Sequence, residues 1–253
     1  MTAIAFETTG PLAVITMTHE PHNLLGPDLM EPLLDALQRA SSQHARAVLL
    51  KSGLRHFCAG ADLALFQNHT DSATFDAVGT LRAFEEYPLP IVCAVHGLCL
   101  GGGFELALAC DYLVAARSAR LGSVEATIGL HPLMGAAQRV AQRAGALRAK
   151  EMAMLGRRYD PDTLAAWGLI NLVVVDDDLD ATATAIGLEL ANGPTVAHTA
   201  TKALVSVAVN DGVAAADEAM KLVQQPIWAS ADVAEGLRSF AANGPGAARF
   251  VGR

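Results

Sequence analysis

Two spacings of apolar residues organise this chain. Ile4–Thr8 and Leu12–Met17 are β-rich and flank Gly10-Pro11, which predicts a hairpin. After Gly26-Pro27-Asp28 the spacing changes. Leu29, Leu33, Leu34 and Leu37 repeat at helical intervals, with Gly26 placed to cap and Pro27 suited to a first helical turn. Ala47–Lys51 and Ile91–Val95 are short continuous apolar runs, predicted as buried strands. Residues 71–87 between them predict an amphipathic helix that stops before Pro88 and Pro90. Gly101–Cys110 predicts a helix opened by glycines, and Tyr112–Ala115 a third buried strand. Strand, helix, strand, helix, strand in this order implies an α/β fold with a parallel sheet and crossover helices.

From about residue 136 the pattern is mainly helical, broken by one strand at Asn171–Val175. Gly193-Pro194 is a candidate boundary between a core of residues 1–194 and a tail of residues 195–253. Helices are predicted over Thr195–Val209, Gly212–Val223 and Ser230–Ala241, and the final GPGAARFVGR is expected to be a loose end. A helical tail after an α/β core suggests subunit contacts.

Composition narrows the class. The 253 residues are 52% apolar and 17% charged, with mean hydropathy +0.31, so a globular chain with one large core is expected. The most apolar region, Ile91 to Leu108, contains His96, four glycines and Glu105, which is wrong for a membrane span. The opening MTAIAFETTG has no basic segment before an apolar block, and the default expectation is a cytoplasmic protein. A net charge of −8 without a basic stripe argues against nucleic acid as a partner. An anionic ligand would need a local cationic pocket. Cys58, Cys93, Cys99 and Cys110 form no C-x-x-C, and no His cluster stands at zinc spacing. Buried reduced thiols and no metal are therefore expected. His96 ends an apolar run and is expected to be a satisfied core or loop histidine.

Three segments carry the candidate chemistry. Phe57-Cys58-Ala59-Gly60-Ala61-Asp62-Leu63 follows a strand, and its small residues allow a sharp turn and close backbone approach to a ligand. The plain alternative is an ordinary turn with Asp62 as a cap. Gly101-Gly102-Gly103-Phe104-Glu105 is a glycine-rich turn opening a helix. Its free N–H groups suit an anion or a developing oxyanion. It fits neither G-x-G-x-x-G nor G-x-x-x-x-G-K-[ST], and Gly10-Pro11 supplies no early fingerprint, so dinucleotide and P-loop readings are weak. The third segment is Gly122-Ser123-Val124-Glu125, with Gly129 and Pro132 beyond it. A lone carboxylate there would ordinarily be a solvated loop acid. Together the segments supply what enolate chemistry needs: oxyanion donors and a positioned acid/base pair.

The segments FCAGADL at 57–63, AVHGLCLGGGFELALACDYLVAA at 94–116 and GSVEATIGLHP at 122–132 resemble the crotonase (enoyl-CoA hydratase/isomerase) superfamily. Weaker likeness runs through residues 135–140, 167–174, 201–204 and 235–240, so the resemblance spans nearly the whole chain. It implies a spiral of ββα turns with a C-terminal helical oligomerisation region, and a homotrimer or a homohexamer built as a dimer of trimers. It implies coenzyme A thioester as substrate, with no permanently bound cofactor. The thioester oxygen would be held by the Ala61 and Gly102 N–H groups. Glu125 would exchange a proton at C2 and Glu105 would activate water, adding it across a 2-enoyl-CoA. His22, Ala59, Gly60, Asp62, Leu63, Gly101, Val124 and Gly129 would contact CoA or the acyl group.

This chain also departs from the superfamily pattern. Where many members carry Lys or Arg, it has Glu20-Pro21-His22-Asn23, so His22 is expected to stand in at the CoA phosphate. Leu133 and Met134 replace small residues and are expected to narrow the acyl pocket. Ala242-Asn243-Gly244-Pro245 replaces a Glu-Lys-Arg run. Double-bond isomerisation, which needs only one carboxylate, is the alternative within the superfamily. Leu133 stands where the dienoyl-CoA isomerase variant carries Asp. A CoA-binding subunit without turnover would not need both acids.

Overall fold

The computed structural model describes residues 2–62 and 76–253. Its main sheet has six strands: β1 (Ile4–Thr9), β2 (Leu12–Met17), β3 (Ala47–Ser52), β4 (Ile91–Val95), β6 (Tyr112–Ala116) and β8 (Leu172–Val174). They lie in the order β1-β2-β3-β4-β6-β8. Only β1 and β2 are antiparallel, and every later pair is parallel. A second sheet pairs β5 (Leu98–Leu100) with β7 (Arg120–Gly122) in parallel. The chain is therefore α/β, as its pattern predicts.

The apolar runs are continuous because both faces of the sheet are covered. Ala13, Ile15, Met17, Val48, Leu50, Ile91, Cys93, Val95, Leu113 and Ala115 face one core. Helices α1 (Pro27–Ser42), α2 (Ala77–Glu86) and α3 (Gly102–Leu108) supply that core with Leu29, Leu33, Leu37, Leu81, Phe84, Phe104 and Leu108. The alternate residues, Leu12, Val14, Ala47, Leu49, Val92, Ala94 and Val114, face a smaller second core. There α7 (Leu179–Asn192) covers them with Leu179, Ala183 and Ala191. The period-two alternation thus persists inside runs that look uniformly apolar.

Three more helices, α4 (Ala136–Ala144), α5 (Ala146–Leu155) and α6 (Pro161–Ala166), precede β8. Beyond Gly193-Pro194 come α8 (Thr195–Asp211), α9 (Val213–Ala229) and α10 (Ala231–Asn243), which matches the helical tail expected. The start of α8 docks on the core through Thr199 Oγ1 to the Pro88 carbonyl at 2.9 Å and Lys202 Nζ to Asp111 at 2.7 Å.

Several expectations are corrected. The helix predicted over 71–87 begins at Ala77, where the Asp76 carboxylate accepts the Gly79 N–H and caps it. Residues 71–75 lie outside the described part. The glycine-opened helix is shorter than predicted, and neither strand of the small sheet has a run long enough to stand out in the pattern. The C-terminal segment is not loose. Buried Asp232 accepts the Val251 and Gly252 N–H groups at 2.7 and 2.9 Å, and the Ala231 N–H donates to the Arg253 carbonyl at 2.8 Å. Arg46 donates to the Phe250 carbonyl at 2.9 Å. All four cysteines are free and buried, and His96 Nε2 lies 2.7 Å from the Leu54 carbonyl oxygen. Among the described residues no helix is long and apolar enough to cross a membrane.

Candidate functional site

Segment 57–61 runs between two neighbours. On one side the Cys58 N–H donates to the Leu98 carbonyl and the Leu100 N–H to the Cys58 carbonyl, joining the segment to β5. On the other, Leu25 bridges to Ala61: its N–H donates to the Gly60 carbonyl at 2.9 Å, and its carbonyl accepts the Asp62 N–H at 2.8 Å. In a parallel bridge of this kind the middle residue's own N–H points away from the partner. The Ala61 N–H therefore points away from Leu25 and has no acceptor among the described residues.

The Ala61 nitrogen lies close to the opening of α3. Gly101 is the N-cap of that helix at φ +52°, ψ −126°, a conformation open to glycine but not to an ordinary residue. Its N–H donates to the Gly122 carbonyl at 2.9 Å. Gly102 is the first helical residue, so its N–H has no intrahelical acceptor. A Cβ placed on Gly102 would stand 3.7 Å from the Ala61 nitrogen, which puts the two donors side by side. Gly103 allows the close approach of the two loops: a Cβ there would fall 2.6 Å from both Cβ and the carbonyl oxygen of Cys58.

Glu105 lies one turn further along the helix and is 1% exposed. Its Oε1 accepts the backbone N–H groups of Met134 and Ala136, each at 2.9 Å. Oε2 takes no hydrogen bond from the described residues. Burial pushes the carboxyl above its ordinary 4.5. The N–H groups of Ala136, Met134 and Gly135 and the charge of Arg139 pull it back.

Glu125 opens a 3₁₀ turn, Glu125–Ile128, that follows β7. The small sheet sets its position, since β5 leads into Gly101 while β7 leads towards Glu125. A Cβ on Gly101 would stand 3.3 Å from Glu125 Oε1 and 3.8 Å from Gly60 Cα. Gly101 is thus a thin wall between the second carboxylate and the 57–61 loop. Both Glu125 oxygens are buried, and neither has a partner in hydrogen-bonding geometry. Burial raises this carboxyl too. Its own backbone N–H lies near enough to offset part of the rise, the charge of Glu105 adds to it, and His131 opposes it. A solvated loop acid would have water-exposed oxygens; this one does not.

The structure thus brings Glu105, Glu125, Ala61, Gly102, Gly101 and Gly60 into one locus. Ala59 lies at its edge, donating its N–H to the His22 carbonyl at 3.1 Å. The exposed His22 ring stacks at an angle on His56, with centroids 5.6 Å apart. Val124 caps the 3₁₀ turn and accepts the Thr127 N–H and hydroxyl. Gly129 ends that turn at φ +78°, exposed, with nothing within 4 Å of a Cβ; its evident task there is the turn. Leu63 lies outside the described residues.

The description Enoyl-CoA hydratase/isomerase belongs to the family model that matches residues 7–246. The chain belongs to that family. Over 180 residues it is 38% identical to the mitochondrial enoyl-CoA hydratase domain-containing protein 2 of Mus musculus, covering 67% of this chain and 61% of the relative. It thus spans about three fifths of that mammalian protein. It is 33% identical over 183 residues to the crotonyl-CoA hydratase of Syntrophomonas wolfei, covering 70% of each chain. The crystal structure of an enoyl-CoA hydratase from Bacillus anthracis superposes with TM-score 0.88 at 28% identity, covering 99% of this chain and all of that one. The fold is therefore the crotonase fold with its C-terminal helical region.

Sequence reasoning missed two supports of this locus. One is the 134–136 turn that holds Glu105; Pro132 and Gly135 just ahead of a helix were its only signal. The other is Asn23, fully buried at φ +52°, whose Nδ2 donates to Ser52 Oγ at 2.8 Å and the Phe57 carbonyl at 3.0 Å. It fastens the 20–25 loop to the end of β3, and so places Leu25 against Ala61.

Proposed function

We propose that this protein hydrates a 2-enoyl-CoA thioester to the 3-hydroxyacyl-CoA. The observation that carries the reading is the contrast between two buried carboxyls at one locus. Glu105 is held on one oxygen by two backbone N–H groups, whereas both Glu125 oxygens have no partner.

The environments divide the roles. Donors to a carboxylate favour its ionised form, and a nearby like charge favours the protonated one. Burial raises both carboxyls, but Glu105 has two backbone N–H groups on Oε1 and the charge of Arg139 to oppose the rise, so in this proposal it is the group that accepts a proton from water. Glu125 is buried with the Glu105 charge nearby, so it is the group to carry a proton. Pairs pushed apart in this way are how one site runs acid and base chemistry together.

In the proposed reaction the thioester oxygen lies between the Ala61 and Gly102 N–H groups. Glu105 takes a proton from water as the hydroxide oxygen bonds to C3. The C2–C3 π electrons move towards C2 and the thioester oxygen, where the two N–H groups stabilise the developing charge. Glu125 delivers its proton to C2. The Glu105 proton then reaches Glu125, either directly or by Glu105 releasing one to solvent while Glu125 takes one up, and the site is restored. CoA would extend past Ala59, Gly60, Asp62 and His22, as the family resemblance implies. Isomerisation would require only one carboxyl moving a proton between C2 and C4, and would leave the anchoring of Glu105 without a task. NMR of the products from a panel of enoyl-CoA thioesters in deuterated water tests the reading. A hydroxyl at C3 with deuterium at C2 is expected. A shifted double bond without hydration would make isomerase the function.

A further inference from the structure

Behind Glu105 stands a second layer. Arg139, one turn into α4, donates from Nη1 to the Met134 and Gly135 carbonyls, each at 3.2 Å. These carbonyls belong to the turn whose N–H groups grip Glu105 Oε1. The other side of the guanidinium forks onto Glu85 of α2, with Nε 2.6 Å from Oε1 and Nη2 on Oε2. Gly135, at φ +111°, leaves room for this: a Cβ there would stand 2.1 Å from Arg139 Nη1. The Arg139 side chain is mostly buried, at 15% exposure, so its planar donor set is held on two fronts.

We infer that Arg139, anchored by Glu85, is a positioning residue that fixes the 134–136 turn and thereby aims the Glu105 carboxylate at the water site. The fork joins α2 to the first turn of α4. Its two bonds to carbonyls orient the peptide planes of residues 134–136, whose N–H groups point back to Glu105. A point charge at the same place would attract Glu105 but would not orient those planes. Lysine has the charge without the fork. Other charged groups near this assembly are Glu125, across the site from Glu105, Arg143, one turn further along α4, Asp111 with Lys202 beyond Arg143, and Arg82 and Glu86 of α2 beside Glu85. Arg143 is itself tied to the Leu108 carbonyl at 2.7 Å.

Charge alone and positioning predict opposite signs at Glu85. Removing the Glu85 charge leaves Arg139 less neutralised, so by field alone the Glu105 carboxyl would titrate lower. If the pair is a clamp, loss of its anchor loosens the turn, weakens the N–H donors and moves Glu105 upward. The experiment follows the Glu105 carboxyl by infrared difference against E105Q, in otherwise parental protein and in Arg139→Lys and Glu85→Gln backgrounds. Turnover on an enoyl-CoA and affinity for a saturated acyl-CoA are measured beside it.

Titration should move upward in both variants. Turnover should fall by about 10–10²-fold, the range set by a misplacement on the order of 1 Å, while saturated acyl-CoA affinity is unchanged. A parental Arg139→Lys protein, or a Glu105 titration in Glu85→Gln that is unmoved or lower, would overturn the inference and leave Arg139 a plain counter-charge. If Arg139→Lys does not fold, the partly exposed Glu85 decides. The inference rests on the proposed hydration only for its turnover readout. A parental protein that hydrates nothing would fail that reading, while the infrared titration would still judge the clamp.

Discussion

Replacing Gly102 with proline removes one N–H and little else from the helix that carries it. Gly102 is the first residue of α3, and its N–H has no helical acceptor to lose. Proline is tolerated at that position because its ring fixes a φ the helix already needs. If the Gly102 N–H is half of the oxyanion hole, its loss should lower kcat by about 10²–10³-fold, or about 2.7–4 kcal/mol. The surroundings define the control. Any Cβ at 102 would meet Leu25 Cδ1 at 3.1 Å and Met134 Sδ at 3.2 Å. Both are ends of flexible side chains that must shift by a few tenths of an ångström. Gly102→Ala carries the same Cβ crowding and keeps the N–H, but lacks the ring Cδ that proline puts where the hydrogen was. Turnover, Tm and CoA affinity are therefore compared between the proline and alanine variants; equal CoA affinity shows that the ring does not block the site, and the turnover ratio then reports the donor. A folded Gly102→Pro protein with turnover equal to that of Gly102→Ala would show that this amide stabilises no developing charge.

Glu125→Gln should raise Tm at neutral pH. The folded carboxyl titrates above its ordinary 4.5, so the folded state loses stability as pH rises through that higher value, a loss glutamine does not suffer. Below the ordinary value both states are protonated, and the gain should vanish; a gain that persists there contradicts the assignment. Gly103→Ala drives a Cβ to 2.6 Å from the Cys58 carbonyl oxygen, which is backbone and cannot swing away. Overpacking of about 1–3 kcal/mol corresponds to a fall in Tm of roughly 2–12 °C for a chain of this size, and an unchanged melting curve would mean the two loops do not touch. The tail exposes Val205, Val209, Val213, Leu222, Trp228 and Phe240, apolar surface suited to burial between subunits. Sedimentation should give a trimer or hexamer, and a stable, active monomer would refute this.

What the sequence disclosed, and what it withheld, follows from the range over which each signal acts. Buried strands such as Ile91–Val95 are visible because a sheet covered on both faces needs unbroken apolar runs. The helix at 102–108 is visible because glycines open it. The motifs around Ala61, Gly102, Glu105 and Glu125 are local and could be read in place. The three-residue strands β5 and β7 are too short to have a period, yet they align Gly101 with Glu125. The grip on Glu105 comes from backbone N–H groups about thirty residues away, which any residue but proline could supply, so no residue type announces it. The C-terminal segment reads as a loose end because its partners, Arg46 and Asp232, are distant or unremarkable in sequence, and only the fold brings them to it.

The central claim is that two carboxyls divide the work of hydration, Glu105 on water and Glu125 on C2. Glu105→Gln measured in deuterated water tests it most directly, with C3 hydration and C2 hydrogen exchange followed by NMR in the same sample. General acid–base removal costs about 10²–10⁴-fold. The account predicts that hydration falls by that order while exchange at C2, carried by Glu125, falls less. Hydration by Glu105→Gln at the parental rate would contradict it, and would leave a single-carboxyl isomerase as the better description of the site.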